Sequence, residues 1–213
     1  KPVALLVRKN IFKNNLTKKI NFNYFTREEA LKSVIKNIPK NSIKISTTGM
    51  LSRELNELNL LNNTTKNTFM CVGGMGHTIS IASGLALSKP KKKIFCFDGD
   101  GSFLMHLGAS TTSAKLNNII HIVFNNRSHD SVGGQVTSAP HLNLRDIAIK
   151  LGYDICMVAK NEKEINKILK NKIIKNKNLF LEIICARGNR KNLSRPKKSL
   201  NVYKREFVKF ISK

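Results

Sequence analysis

Apolar and polar positions change period along this chain, and the changes mark out its elements. Thr26 followed by Glu29 has the spacing of a capping box, and Ala30, Leu31, Val34, Ile35 and Ile38 then recur at helical intervals until Pro39 stops them. Residues 42–47 form a short β-branched run that predicts a strand, and 51–61 predict a helix. Residues 68–72 predict a second strand, followed by Gly-Gly-Met-Gly and an apolar helix over 77–88. The unit then repeats, with a strand over 93–98, a helix over 102–116 and a near-continuously hydrophobic strand over 119–125. A Gly-rich loop over 126–141 leads to a helix over 142–151, a strand over 153–159, a Lys-studded helix over 161–177 and a last strand over 179–186. At the two ends, 2–8 read as a buried strand, 9–23 as a polar connection, 188–199 as a basic loop and 202–211 as a terminal helix. Strands apolar on both faces, each separated by a helix, call for an α/β fold, a doubly wound parallel sheet covered on both sides. In such sheets ligands lie at the carboxyl ends of the strands, beside helix N-termini.

Composition narrows the partners. The length of 213 residues suits one packed domain with extra segments. A formal charge of +25 would ordinarily raise nucleic acid as a partner. Yet 29 of the 38 basic residues are Lys, and Asn (25) and Ile (22) are in excess beside them. A/T-rich coding explains all three together, so neither nucleic acid nor, with no apolar run near the roughly 20 residues of a bilayer span, a membrane is the expected partner. Cys71, Cys96, Cys156 and Cys185 stand singly in apolar runs, without disulfide or zinc spacing, which fits buried thiols in a reducing cytoplasm. No signal peptide is visible, and the absence of an initiator Met suggests a fragment or a processed chain.

Two post-strand loops carry chemistry. Asp98-Gly99-Asp100-Gly101-Ser102 places a carboxylate between two glycines at a helix N-terminus, where backbone amides favour an anion such as phosphate. A carboxylate beside a phosphate cradle implies a cation between them, and Mg²⁺ suits that role. Asn125-Asn126 ends the next predicted strand, so Asp100 and Asn126, 26 positions apart, should converge.

GDG after an apolar strand, then a helix, a second apolar strand and NN, resembles the signature of thiamine-diphosphate-dependent decarboxylases. The resemblance implies thiamine diphosphate and Mg²⁺ as cofactors, with the metal on Asp100, Asn126 and the main-chain carbonyl of Ser128. It implies a diphosphate held by the amides of Gly101 and Ser102. It also implies a cofactor bent over Met75, 25 positions before Asp100, with the Gly73 carbonyl facing its amino group. Core packing is the alternative for Met75. Thr48, in Ser46-Thr47-Thr48-Gly49, sits where relatives place hydroxyls on the diphosphate, though an ordinary helix N-cap accounts for it equally well.

Gly74-Met75-Gly76-His77, the run from Leu104 to Gly108, and Ser128-His129-Asp130-Ser131-Val132-Gly133-Gly134-Gln135 look like the phosphonopyruvate decarboxylase branch. Sulfopyruvate decarboxylase is its nearest cousin. The implied substrate is a small anionic 2-oxo acid, with His77 and His129 as the catalytic candidates for substrate contact or proton transfer. His106, His121 and His141 lack motif support and are read as structural, and Arg127, Arg187 and Arg190 are open candidates for attracting an anion. The family's activating Glu lies in a pyrimidine-binding domain, and none of the eight Glu residues here stands in a matching motif. The resemblance therefore divides the chain into 1–24 (the end of such a domain and a linker), 25–187 (the diphosphate domain) and 188–213 (a C-terminal loop and helix). It implies a homo- or hetero-oligomer in which a pyrimidine-binding domain or subunit completes the site; a non-catalytic subunit that keeps the fold is the rival reading.

Overall fold

The first helix starts where its cap predicts. Thr26 Oγ1 accepts from the Glu29 amide at 3.2 Å and the Glu29 carboxylate accepts from the Thr26 amide at 2.8 Å, opening α1 (Arg27–Asn37). The computed structural model describes residues 2–8, 11 and 25–213. After α1 the order is β1 (Ile43–Ser46), α2 (Met50–Leu61), β2 (Thr68–Met70), α3 (Thr78–Ser88), β3 (Ile94–Gly99), α4 (Asp100–Met105) and α5 (Ala109–Ser113). Then follow β4 (Ile119–Asn125), α6 (Leu144–Leu151), β5 (Ile155–Ala159), α7 (Glu162–Leu169), β6 (Leu179–Ile184) and α8 (Leu200–Ile211).

The six strands form one all-parallel sheet, ordered β2-β1-β3-β4-β6-β5. Every residue of β4 and β6 is buried, as expected of strands covered on both sides. Phe95, Phe97, Ile122, Phe124, Leu181 and Ile183 pack on one face against α1, α2 and α7. On the other face Ile45, Ile94 and Cys96 meet α3 and α8, while Val123 and Phe180 meet Phe103 of α4 and Leu144 of α6. The fold is thus the doubly wound α/β arrangement. From β1 the chain steps outward to β2 and returns to β3 on β1's other side, so a topological switch point lies between β1 and β3. Among the described residues no helix is long and apolar enough to cross a membrane.

Three predicted elements differ. Residues 2–8 form no strand, and Val3, Leu5 and Leu6 are exposed: an apolar run becomes a strand only beside a partner, and none of the described strands pairs with it. The connection read over 9–23 lies, Ile11 apart, outside the described residues. The helix predicted over 102–116 is broken at His106-Leu107-Gly108, because α4 buries Phe103 over the sheet whereas α5 buries Ser110 and Ser113 alongside α3. The Lys-studded helix ends at Leu169, where the Asn171 side chain accepts from the Ile173 amide at 3.0 Å and turns the backbone into a 3₁₀ segment, Lys172–Asn176.

Candidate cofactor and cation site

The loops after β1, β2, β3 and β4 meet at the carboxyl ends of the strands, and side chains knit them together. Ser102 Oγ accepts from the Gly76 amide at 3.0 Å and bonds Thr47 Oγ1 at 2.9 Å, so one hydroxyl joins three loops. Glycine is required at two close approaches. Gly49 begins α2 at φ +93°, with a Cβ there falling 3.1 Å from Ser131 Oγ, and a Cβ on Gly101 would come within 2.6 Å of the His129 ring. Gly49, not Thr48, occupies the N-cap position of α2, and Thr48 is not an N-cap here.

These loops enclose a cavity of about 70 Å³. Eight of the ten residues picked from sequence line it: Thr48, Met75, Asp100, Gly101, Ser102, Asn126, Ser128 and His129. Gly73 and His77 do not; the His77 ring instead stands edge-on to His106, with centroids 4.3 Å apart. A larger cavity of about 760 Å³ lies at the amino ends of the strands among Lys66, Lys89, Lys92 and Lys209, away from every motif.

Asp100 is the first residue of α4 and is almost fully buried. Burial pushes its carboxyl up to about 6, against the opposing pull of a hydrogen bond donated by Thr137 Oγ1 at 2.5 Å. Its neighbour across the β3–β4 pair, Asn126, donates from Nδ2 to Asp130 at 2.6 Å, while among the described residues Asn126 Oδ1 accepts only a 3.2 Å bond from the Ser128 amide. Ser128 Oγ is buried with no hydrogen-bond partner among the described residues. A buried carboxylate, an amide oxygen with spare capacity and an orphaned hydroxyl form an oxygen-rich set, which is what a hard divalent cation takes. The residues present fit Mg²⁺ and a phosphate group, and 70 Å³ matches a cation with part of a diphosphate rather than a two-ring molecule.

Sequence reasoning missed Thr137, Arg27, Glu54 and Asp130. Arg27 reaches the site because the Ala186 amide donates to the Phe25 carbonyl at 3.0 Å, pinning the start of α1 to the end of β6. Arg190 is engaged by Glu28 at 3.0 Å and by Glu57, which leaves it poorly placed to receive an anion. His121 is fully buried beneath the loops, 2.8 Å from Tyr153 Oη through Nδ1 and 3.5 Å from Asp98 Oδ2 through Nε2. Asp98 Oδ1 accepts from the Gly99 amide at 3.0 Å, so this sealed pair holds the Gly-Asp-Gly turn from below.

Residues 47–183 match the family described as thiamine pyrophosphate enzyme, C-terminal TPP binding domain. A phosphonopyruvate decarboxylase of Streptomyces viridochromogenes is 30% identical over 189 residues, which cover 88% of this chain and 46% of that protein. Sulfopyruvate decarboxylase subunit beta of Methanocaldococcus jannaschii is 32% identical over 151 residues, covering 70% and 77% respectively. The chain spans about half the length of the phosphonopyruvate decarboxylases it matches. In fold it is similar to the crystal structure of benzoylformate decarboxylase from Polynucleobacter necessarius, with a TM-score of 0.67 and 16% identity over 77% of this chain and 34% of the other.

Proposed function

Because the chain belongs to the thiamine pyrophosphate enzymes, matching their C-terminal TPP-binding domain over 64% of its length (137 of 213 residues), we propose that it is the diphosphate-binding part of a decarboxylase acting on a short 2-oxo acid with a second anionic group, phosphonopyruvate first. One observation carries the reading: a buried Asp100 and Asn126 meet at adjacent strand ends with oxygen capacity that no cation among the described residues takes up by a hydrogen bond or ion pair. In this reading Asp100, Asn126 and the Ser128 carbonyl hold Mg²⁺, and the Gly101 and Ser102 amides with Thr48 hold the diphosphate. Met75 and the Gly73 carbonyl orient the rest of the cofactor. Bound thiamine diphosphate supplies the electron sink for loss of CO₂. His129, set over Gly101, is placed to hold a proton at the cavity wall; His77 stands back from it and is the weaker proton carrier. The division into 1–24, 25–187 and 188–213 follows from the same reading, with the activating Glu supplied by a pyrimidine-binding domain or subunit.

Phosphonopyruvate ranks first on the loop from Asn126 to Gln135 and on the breadth of the match, 88% of the chain. Sulfopyruvate is the second reading, favoured by the 77% coverage of a relative that is itself named as a beta subunit. A phosphonate can carry one more negative charge than a sulfonate, so a basic chain should prefer it. The first test is calorimetric titration of thiamine diphosphate into the chain with Mg²⁺ and with chelator. Binding is expected only with the metal, and equal affinity in both would overturn the metal-bridged site. For the assembled enzyme, kcat/KM should be higher for phosphonopyruvate than for sulfopyruvate, and the reverse order would move the assignment to the cousin.

A further inference from the structure

The geometry points to Asp130 as the positioning residue that turns the Asn126 side-chain oxygen toward the cation, with Arg27 and Glu54 as its buried anchor. The inference rests on the reading of Asn126 as a cation ligand and adds what makes it one. An Asn side chain offers an oxygen at one corner and an NH₂ at the other, and its surroundings decide which faces a ligand. Here one oxygen decides. Asp130 Oδ2 accepts from Asn126 Nδ2 at 2.6 Å, from Arg27 Nη1 at 2.9 Å and from the Gly188 amide at 3.0 Å. A carboxylate held by a guanidinium remains an acceptor only, so a flipped Asn126 would set oxygen against oxygen. With Nδ2 taken by Asp130, Oδ1 is left on the other side with a single 3.2 Å bond and a spare lone pair.

Asp130 is itself fixed. Arg27 makes a two-pronged contact with Glu54, Nε to Oε2 and Nη2 to Oε1, both at 2.9 Å, and Nη1 is thereby aimed at Asp130. Arg27 and Glu54 are 5% and 2% exposed, so water does not loosen this fork. Guanidinium and two carboxylates sum to one negative charge, which also favours a cation next door. Groups that orient metal ligands from behind typically alter metal affinity about 10- to 100-fold when removed.

The test measures metal affinity directly, by the electron paramagnetic resonance signal of free Mn²⁺ titrated into the full chain with thiamine diphosphate present, beside the unfolding temperature of each variant. Asp130→Asn, which can offer an NH₂ and so frees Asn126 to flip, should weaken Mn²⁺ binding about 10- to 100-fold. The double exchange Asn126→Asp with Asp130→Asn restores a donor facing an acceptor and should recover most of the affinity. A folded Asp130→Asn with unchanged Mn²⁺ affinity overturns the positioning role, and so does a double exchange that binds no better than the single variant. Should Asp130→Asn not fold, the double exchange is compared with wild type, and a loss beyond 100-fold counts against the role. Metal-independent cofactor binding by the wild-type chain would instead refute the functional reading beneath it.

Discussion

Two buried cations pack on the same face of the sheet and meet opposite fates. Arg27, at the carboxyl ends of the strands, is 5% exposed; Lys44, in β1 toward the amino ends, is 2% exposed. Burial alone would lower both. For Arg27 the hydrogen bonds and charges of Glu54 and Asp130 outweigh it and raise the guanidinium above its ordinary range. For Lys44 nothing offsets it: among the described residues no acceptor meets Nζ, its cavity is rimmed by Lys32, Lys36 and Lys40, and the amine is pushed down to about 8. A buried charge is therefore no mark of function by itself. Its partners are: those of Arg27 lead to the candidate ligand Asn126, while Lys44 fits the Lys-rich composition and leads nowhere.

The comparison breaks most sharply at Arg27. Arg27→Met would leave Glu54 and Asp130 facing each other without a counter-ion, which should cost about 3–5 kcal/mol in urea unfolding. A loss well below 1 kcal/mol would mean that the fork is not the anchor. Lys44→Met should act with the opposite sign, stabilising the domain at pH 7 by about 3 kcal/mol, the equivalent of a shift from 10.5 to about 8. The wild type carries a matching pH signature. Between about 8 and 10.5 the unfolded chain holds a proton on Lys44 that the folded chain has released, so stability should rise with pH through that window. Lys44→Met should flatten the rise, and an unchanged pH profile would show that Nζ reaches water. The smallest effect belongs to the cap. Thr26→Ala should cost about 1 kcal/mol by removing the hydroxyl that accepts from Glu29, loosening the turn that carries Arg27. A stable variant with intact Mn²⁺ affinity would show that the fork holds that turn unaided.

Much of this was legible because it is local or periodic. Runs such as 119–125 and 179–184, apolar on both faces, imply a parallel sheet covered on both sides, and adjacency of β3 and β4 brings Asp100 to Asn126. The Arg27 fork was not legible, since its partners lie 27 and 103 positions away and no spacing rule joins them. His121, read as lacking any motif, acquires Asp98 only through the register that sets it opposite Cys96. The break between α4 and α5 was hidden for a related reason. Leu104 and Leu107 keep a helical interval through it, and a period reports which face is apolar but not that the face changes direction.

The bond between Arg27 Nη2 and the Gly188 carbonyl, at 3.5 Å, spans 161 positions, and it sets a clock. As the chain leaves a ribosome at roughly 5–20 residues per second, the guanidinium, with Glu54 already made, waits on the order of ten seconds for Gly188. During that interval β6, the strand that must slot between β4 and β5, does not yet exist, and the gap exposes both of their flanks. Nascent chains of this domain thus pass through a period in which the first helix can engage Glu54 but lacks Gly188 and the end of β6 to pin its start.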